Sequence, residues 1–105
     1  MEPTDDGLQT LVKTMKALAN PIRLRIIALL EKEPKHAYAL AKELGISYPL
    51  AHLHMKGLKK MGLIEEIEHE EREGRPSVKT YAPTDFEMVL SSKMIHDTVL
   101  KEGEE

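Results

Sequence analysis

Residues 40–64, LAKELGISYPLAHLHMKGLKKMGLI, divide at Gly45 into two amphipathic pieces, and few folds accommodate that division. Leu40, Ala41 and Leu44 fall on one face of a short helix, and Gly45 follows where a helix end calls for a residue tolerant of positive φ. Ile46 is then placed to tuck under the turn. Ser47 is suited to cap a second helix, because its hydroxyl accepts a backbone N–H that would otherwise be unpaired. Pro49 falls in the first turn, where a missing N–H costs little. Two helices joined by a tight turn, over about 36–61, are how a helix-turn-helix DNA reader is built.

Projected at the helical period, residues 48–62 place Ala51, Met55, Leu58 and Gly62 on one side, with His54 and Met61 at its edge. That side faces the body of the domain. The other side carries Pro49, His52, Leu53, Lys56 and Lys60, flanked by Tyr48 and Lys59, and is the side available to a major groove. Between Lys35 and Lys60 there are five lysines against the single acid Glu43, a local balance of +4 in a chain of net charge −3. A cationic patch in an acidic protein localises attraction for phosphate to one surface.

Composition narrows the remaining choices. The 105 residues suit one small domain, which by itself buries only ~60 to 70% of its unfolded surface. No cysteine is present, which excludes a disulfide framework and thiolate metal sites. No apolar run is long enough for a signal peptide or a membrane span, so a soluble, cytoplasmic protein is expected. Aromatic residues are too scarce for the stacking platforms that hold single strands, which favours duplex DNA. No nucleophile–base pairing, phosphate-cradling glycine loop or metal-ligand spacing suggests an enzyme, and no cofactor is implied.

The flanking segments extend the motif in both directions. Leu8, Leu11, Val12, Met15, Leu18 and Ala19 predict a first amphipathic helix from about residue 4 or 5 to 19. Asn20-Pro21 is a cap followed by a first-turn proline, and Ile22, Ile26, Ile27, Leu29 and Leu30 predict a more apolar second helix ending near Glu33. After the motif, the apolar spacing of Leu63, Ile64 and Ile67 and then Val78 and Tyr81, around the polar turn 70–76, predicts a β-hairpin wing over about 63–82. Arg72, Arg75 and, less directly, Lys79 are the wing's candidate contacts, but six acids between Glu65 and Glu73 would repel phosphate, so only the two arginines near the tip are expected to point toward a flanking backbone. Thr84-Asp85-Phe86-Glu87 has capping-box spacing, predicting a last helix over about 85–101.

On that last helix Phe86, Val89, Leu90, Met94 and Leu100 would form one arc and Met88, Ile95 and Val99 another. One arc covers the chain's own core, and the second calls for a symmetry mate. The expected dimer interface comprises Leu8, Leu11, Met15, Phe86, Met88, Leu90, Ile95 and Val99. Such a dimer would set two recognition helices about one turn of B-DNA apart. The expected fold is therefore mostly α with a small β-hairpin: a winged helix-turn-helix domain of five to six helices, its terminal helices at a dimer interface.

The run Lys16-Ala-Leu-Ala-Asn-Pro-Ile-Arg-Leu-Arg-Ile-Ile-Ala-Leu-Leu30, with Leu40 to Ser47, His54-Met-Lys-Gly-Leu58, Gly62-Leu-Ile64, Gly74-Arg75-Pro76 and Tyr81, resembles the winged helix-turn-helix repressors of the arsenic-repressor (ArsR) type over roughly residues 8–100. The resemblance implies a homodimer that binds an inverted-repeat operator and blocks transcription. Two departures stand out. Many such repressors sense metals through cysteines, or through Asp, His and Glu on the last helix. Here the last helix offers only Asp85, Glu87, His96 and Asp97, and adjacent His96 and Asp97 should diverge by about 100°. Asp85, Glu87 and His96 could meet only across a dimer, so no metal is expected. The second departure is Leu53, where the resemblance implies a polar residue. Leu53 either packs against thymine methyl groups or folds back onto Leu50, and both alternatives remain open.

The expected function is a sequence-specific duplex-DNA-binding regulator. Tyr48, His52 and Leu53 meet base edges, Lys56, Lys59, Lys60, Arg72 and Arg75 neutralise phosphates, Ser47 caps the reading helix and is placed to donate to a phosphate, and Pro49 lies on the same DNA-facing side. His54 is expected to be a neutral structural hydrogen-bonder. Gly57 marks either a close approach, to a helix or to DNA, or a tolerated accident. The competing expectation is a winged helix that binds a protein partner, favoured by the acidic wing and Leu53.

Overall fold

The computed structural model describes residues 3–67 and 79–100. Helix α1 spans Pro3–Leu18, and α2 spans Pro21–Lys32. The boundary between them is local chemistry: the Asn20 side chain accepts from the N–H groups of Ile22 at 2.9 Å and Arg23 at 3.3 Å, with Pro21 in the first turn. Helix α3, Ala37–Leu44, is capped by His36, whose Nδ1 accepts from Ala39 N–H at 3.2 Å. It ends at Gly45 in the left-handed conformation (φ +68°), and Ile46 N–H returns to the Ala41 carbonyl at 3.0 Å. Ser47 caps α4, Tyr48–Lys60, by accepting from Leu50 N–H at 3.2 Å. Gly62 (φ +76°) closes α4, with Leu63 N–H bonded to the Leu58 carbonyl at 3.0 Å.

Strands β1, Ile64–Ile67, and β2, Thr80–Pro83, pair antiparallel with Glu66 opposite Tyr81. The α2–α3 connection adds a rung, because Lys35 and Tyr81 exchange backbone hydrogen bonds at 3.2 and 2.9 Å. Ile26 and Leu30 from α2, Leu40 from α3, Met55 and Leu58 from α4, and Leu63, Ile64 and Tyr81 from the wing form one buried cluster. The side of α4 expected to face the body does so at Ala51, His54, Met55 and Leu58, which are all buried, whereas Gly62, expected on the same side, lies past the helix end and is exposed. Among the described residues no helix is long and apolar enough to cross a membrane.

The last helix departs from expectation. Helix α5 spans Ser92–Val99, capped by Ser91 accepting from Met94 N–H at 3.0 Å, and residues 84–90 have no regular structure. The capping-box reading of Thr84 and Glu87 is therefore incorrect. Thr84 continues the wing instead: its N–H donates to the Leu63 carbonyl at 3.0 Å and its hydroxyl to the Gly62 carbonyl at 2.7 Å. Long-range backbone partners outcompeted a local cap. Phe86, Met88, Val89 and Leu90 accordingly share no helical face; they lie exposed on the connecting segment.

Helix α5 packs on α1, with Gly7 beside the Thr98 methyl: a Cβ there would sit 3.7 Å from it. Leu8 and Leu11 are half-buried, as is Val99. Met15 and Ile95 remain exposed together with Val12 and Leu100. His96 and Asp97, expected to diverge, meet at 3.1 Å.

Candidate nucleic-acid interface

Helix α4 is seated by its buried side, which fixes what the other side presents. Ser47, Pro49, His52, Lys56 and Lys60 are exposed, as is Tyr48. Leu53 is 60% exposed, so whatever it does with Leu50 does not bury it. The reading-face residues therefore project together. Arg72 and Arg75, expected at the wing's tip, lie outside the described residues.

The lysines do not contribute equally. Lys35 counts toward the patch by sequence, but its ammonium bridges Glu33 and Glu43 at 3.1 Å each. Hydrogen bonds to Glu43 and then Glu33 raise its pKa. Lys59 donates to Glu66 of β1 at 2.6 Å, a pairing that raises the lysine's pKa and lowers that of the carboxyl. Lys79 of the segment entering β2 lies 3.8 Å from the same carboxylate. Among the described residues Lys42, Lys56 and Lys60 form no ion pair. The acidic wing thus turns one carboxylate toward the reading helix, where it offsets part of that helix's charge.

Two interactions escaped the sequence reading. Tyr38 of α3 stacks on Tyr48 with ring centroids 4.7 Å apart, and Tyr48 continues to His52 at 5.9 Å. Two of the chain's three tyrosines lie within the motif, and that concentration was the available signal. The other is the support beneath α4. Arg23 of α2 donates through Nε to Nδ1 of buried His54 at 3.1 Å, and its guanidinium lies over Gly57. The close approach that Gly57 permits is therefore to α2. Desolvation, then the Arg23 charge, lowers the pKa of His54, consistent with its expected neutral role.

Among the described residues no three His, Asp or Glu side chains are grouped to hold a metal. What converges is an exposed helix of mixed cationic, aromatic and apolar character beside a two-stranded wing. That defines the class: a winged helix-turn-helix domain of the kind found in DNA-binding transcriptional regulators.

Comparison with known proteins agrees. The model of the arsR family of bacterial regulatory proteins matches residues 20–66. An uncharacterised HTH-type transcriptional regulator of Methanocaldococcus jannaschii is 36% identical over 84 residues, covering 80% of this chain and 86% of the relative. The homodimeric winged helix-turn-helix DNA-binding domain of a Mycobacterium bovis protein is 29% identical, covers 79% of this chain and 71% of that one, and superposes with a TM-score of 0.65. NolR from Sinorhizobium fredii, 23% identical, shares the fold over 90% of this chain and 84% of its own, with a TM-score of 0.64. The chain belongs to the ArsR family of winged helix-turn-helix transcriptional regulators.

Proposed function

We propose that this regulator is a homodimeric repressor that binds an inverted-repeat operator through α4, acting in the cytoplasm without catalytic chemistry. The observation that carries the reading is the exposed face of α4, where Lys56 and Lys60 stand beside Tyr48, His52 and Leu53 without an ion pair among the described residues. Lys56 and Lys60 neutralise phosphates, with Lys59 once Glu66 releases it. Tyr48, His52 and Leu53 read base edges, Leu53 through thymine methyl groups. Ser47 and Pro49 set the start of the reading helix, and Arg72 and Arg75 complete the phosphate contacts from the wing.

Exposed Met15, Phe86, Met88, Leu90 and Ile95, with half-buried Leu8, Leu11 and Val99, support the dimer, and the Mycobacterium bovis relative is homodimeric. Selection of bound duplexes from a random pool, followed by titration of the enriched site against salt, tests the reading. Each phosphate contact adds about 0.9 to the salt slope. Replacing Lys56 and Lys60 by alanine should lower a dimer's slope by about 3 to 4. An unchanged slope removes these lysines from the phosphate contacts.

A second reading, docking to a protein partner, draws on exposed Leu50 and Leu53 beside Tyr38 and Tyr48. Absence of binding to any duplex at micromolar protein and low salt favours it.

A further inference from the structure

We propose that Tyr38, on the first helix of the motif, is a specificity-determining DNA contact: its ring fixes the reading conformation of Tyr48 and its hydroxyl donates to a backbone phosphate. This rests on the DNA-reading function proposed for α4 and adds a residue from α3 to it.

Three observations carry the inference. Tyr38 is 69% exposed, more than any other large apolar or aromatic side chain on this face. It stacks on Tyr48 at 4.7 Å with 27° between the rings, and Tyr48 contacts His52 in turn. An exposed ladder of three rings that buries little of itself contributes little to the core. Its physical effect is to hold Tyr48 in one rotamer before any ligand arrives, which removes an ordering cost from binding.

The second observation is position. Tyr38 is in the first turn of α3, and the first helix of a helix-turn-helix pair crosses the sugar–phosphate backbone while the N-terminal residues of the second reach base edges. Tyr48 is the first residue of α4, so the stack joins the backbone-crossing element to the base-reading one. The third is the cleft that the ladder borders. His36, Tyr38, Tyr48, His52, Lys79 and Tyr81 line it, around an open volume of about 360 Å³. The backbone of one strand of a duplex has the chemistry for such a cleft: sugar faces for the rings, and phosphate oxygens for the Tyr38 hydroxyl and the exposed Lys79 ammonium.

The test compares the full-length protein with Tyr38→Phe and Tyr38→Ala, using duplexes selected by the wild type and a matched panel of single-base variants. Thermal midpoints should be unchanged for both, since Tyr38 is exposed. Tyr38→Phe keeps the stack and loses the hydroxyl. It should weaken every duplex alike, by roughly three- to tenfold per half-site, without altering base preference. Tyr38→Ala should also flatten discrimination by roughly two- to tenfold at the bases read by Tyr48. Wild-type affinity in Tyr38→Phe overturns the phosphate contact, and intact discrimination in Tyr38→Ala overturns the bracing role. A wild type that binds no duplex overturns the DNA-reading function itself.

Discussion

Replacing Gly57 by alanine should destabilise this protein, although the same change in an ordinary exposed helix stabilises by about 1 kcal/mol. The reason is the guanidinium above it. A Cβ on residue 57 would lie 2.7 Å from Nη2, 3.0 Å from Cζ and 3.1 Å from Nη1 of Arg23, so the whole plane must move. Arg23 is a flexible side chain, and moving its tip alone is cheap. Its Nε, however, is the donor to His54 Nδ1 at 3.1 Å, and His54 is only 8% exposed. Leaving a buried acceptor unpaired costs about 1 to 3 kcal/mol. Set against the helix-propensity gain, the net effect is a loss of about 0 to 2 kcal/mol.

The sign reverses in an Arg23→Ala background, where the obstruction is gone and the propensity gain of about 1 kcal/mol should appear. A double-mutant cycle by urea unfolding, at one fixed protein concentration because association shifts apparent stability, should give a coupling of about 1 to 3 kcal/mol. Equal stabilisation by Gly57→Ala in both backgrounds would refute the argument that Arg23 holds α4 on α2.

Acidification should act on the same support. The folded-state pKa of His54 is lowered, so the unfolded chain binds its proton more readily. The stability contribution is complete above the unfolded value of about 6.5. It falls as pH drops below that, by at most about 1.4 kcal/mol per pH unit, until the folded-state pKa is reached. Urea midpoints measured from pH 7.5 downward should show this loss in the wild type and a smaller one in His54→Gln; equal slopes would remove His54 as the cause. Glu66→Gln should release Lys59 and Lys79 and raise affinity for duplex several-fold at low salt, an effect that fades as salt screens it. Affinity unchanged at low salt would show that the carboxylate does not restrain these lysines. Ile95→Asp, placed on an exposed apolar position of α5, should shift the protein toward monomer in sedimentation and weaken operator binding while sparing the core. A dimer that persists at micromolar concentration moves the interface elsewhere.

The features legible in the linear chain were those whose partners lie within a turn or so. Asn20 capping α2, Gly45 ending α3 and Ser47 capping α4 each satisfy backbone groups at most a few residues away, so spacing alone located them. The apolar period of α4 likewise assigned its buried side, and with it the face that Tyr48, His52, Leu53, Lys56 and Lys60 present. Only the tertiary structure decided what happens where a residue has a choice of distant partners. Thr84 had the sequence of a helix cap but bonded to Gly62, 22 residues away, because the closing wing brought that carbonyl within reach. Lys35 and Lys59 had the sequence of free cations but found Glu33, Glu43 and Glu66. Arg23 met His54 across 31 residues, and Tyr38 met Tyr48 across the turn. A cap whose partners lie within a turn is fixed by spacing unless a distant partner takes its place, as happened at Thr84, whereas charge pairing, stacking and the start of α5 depend on which surfaces packing brings together.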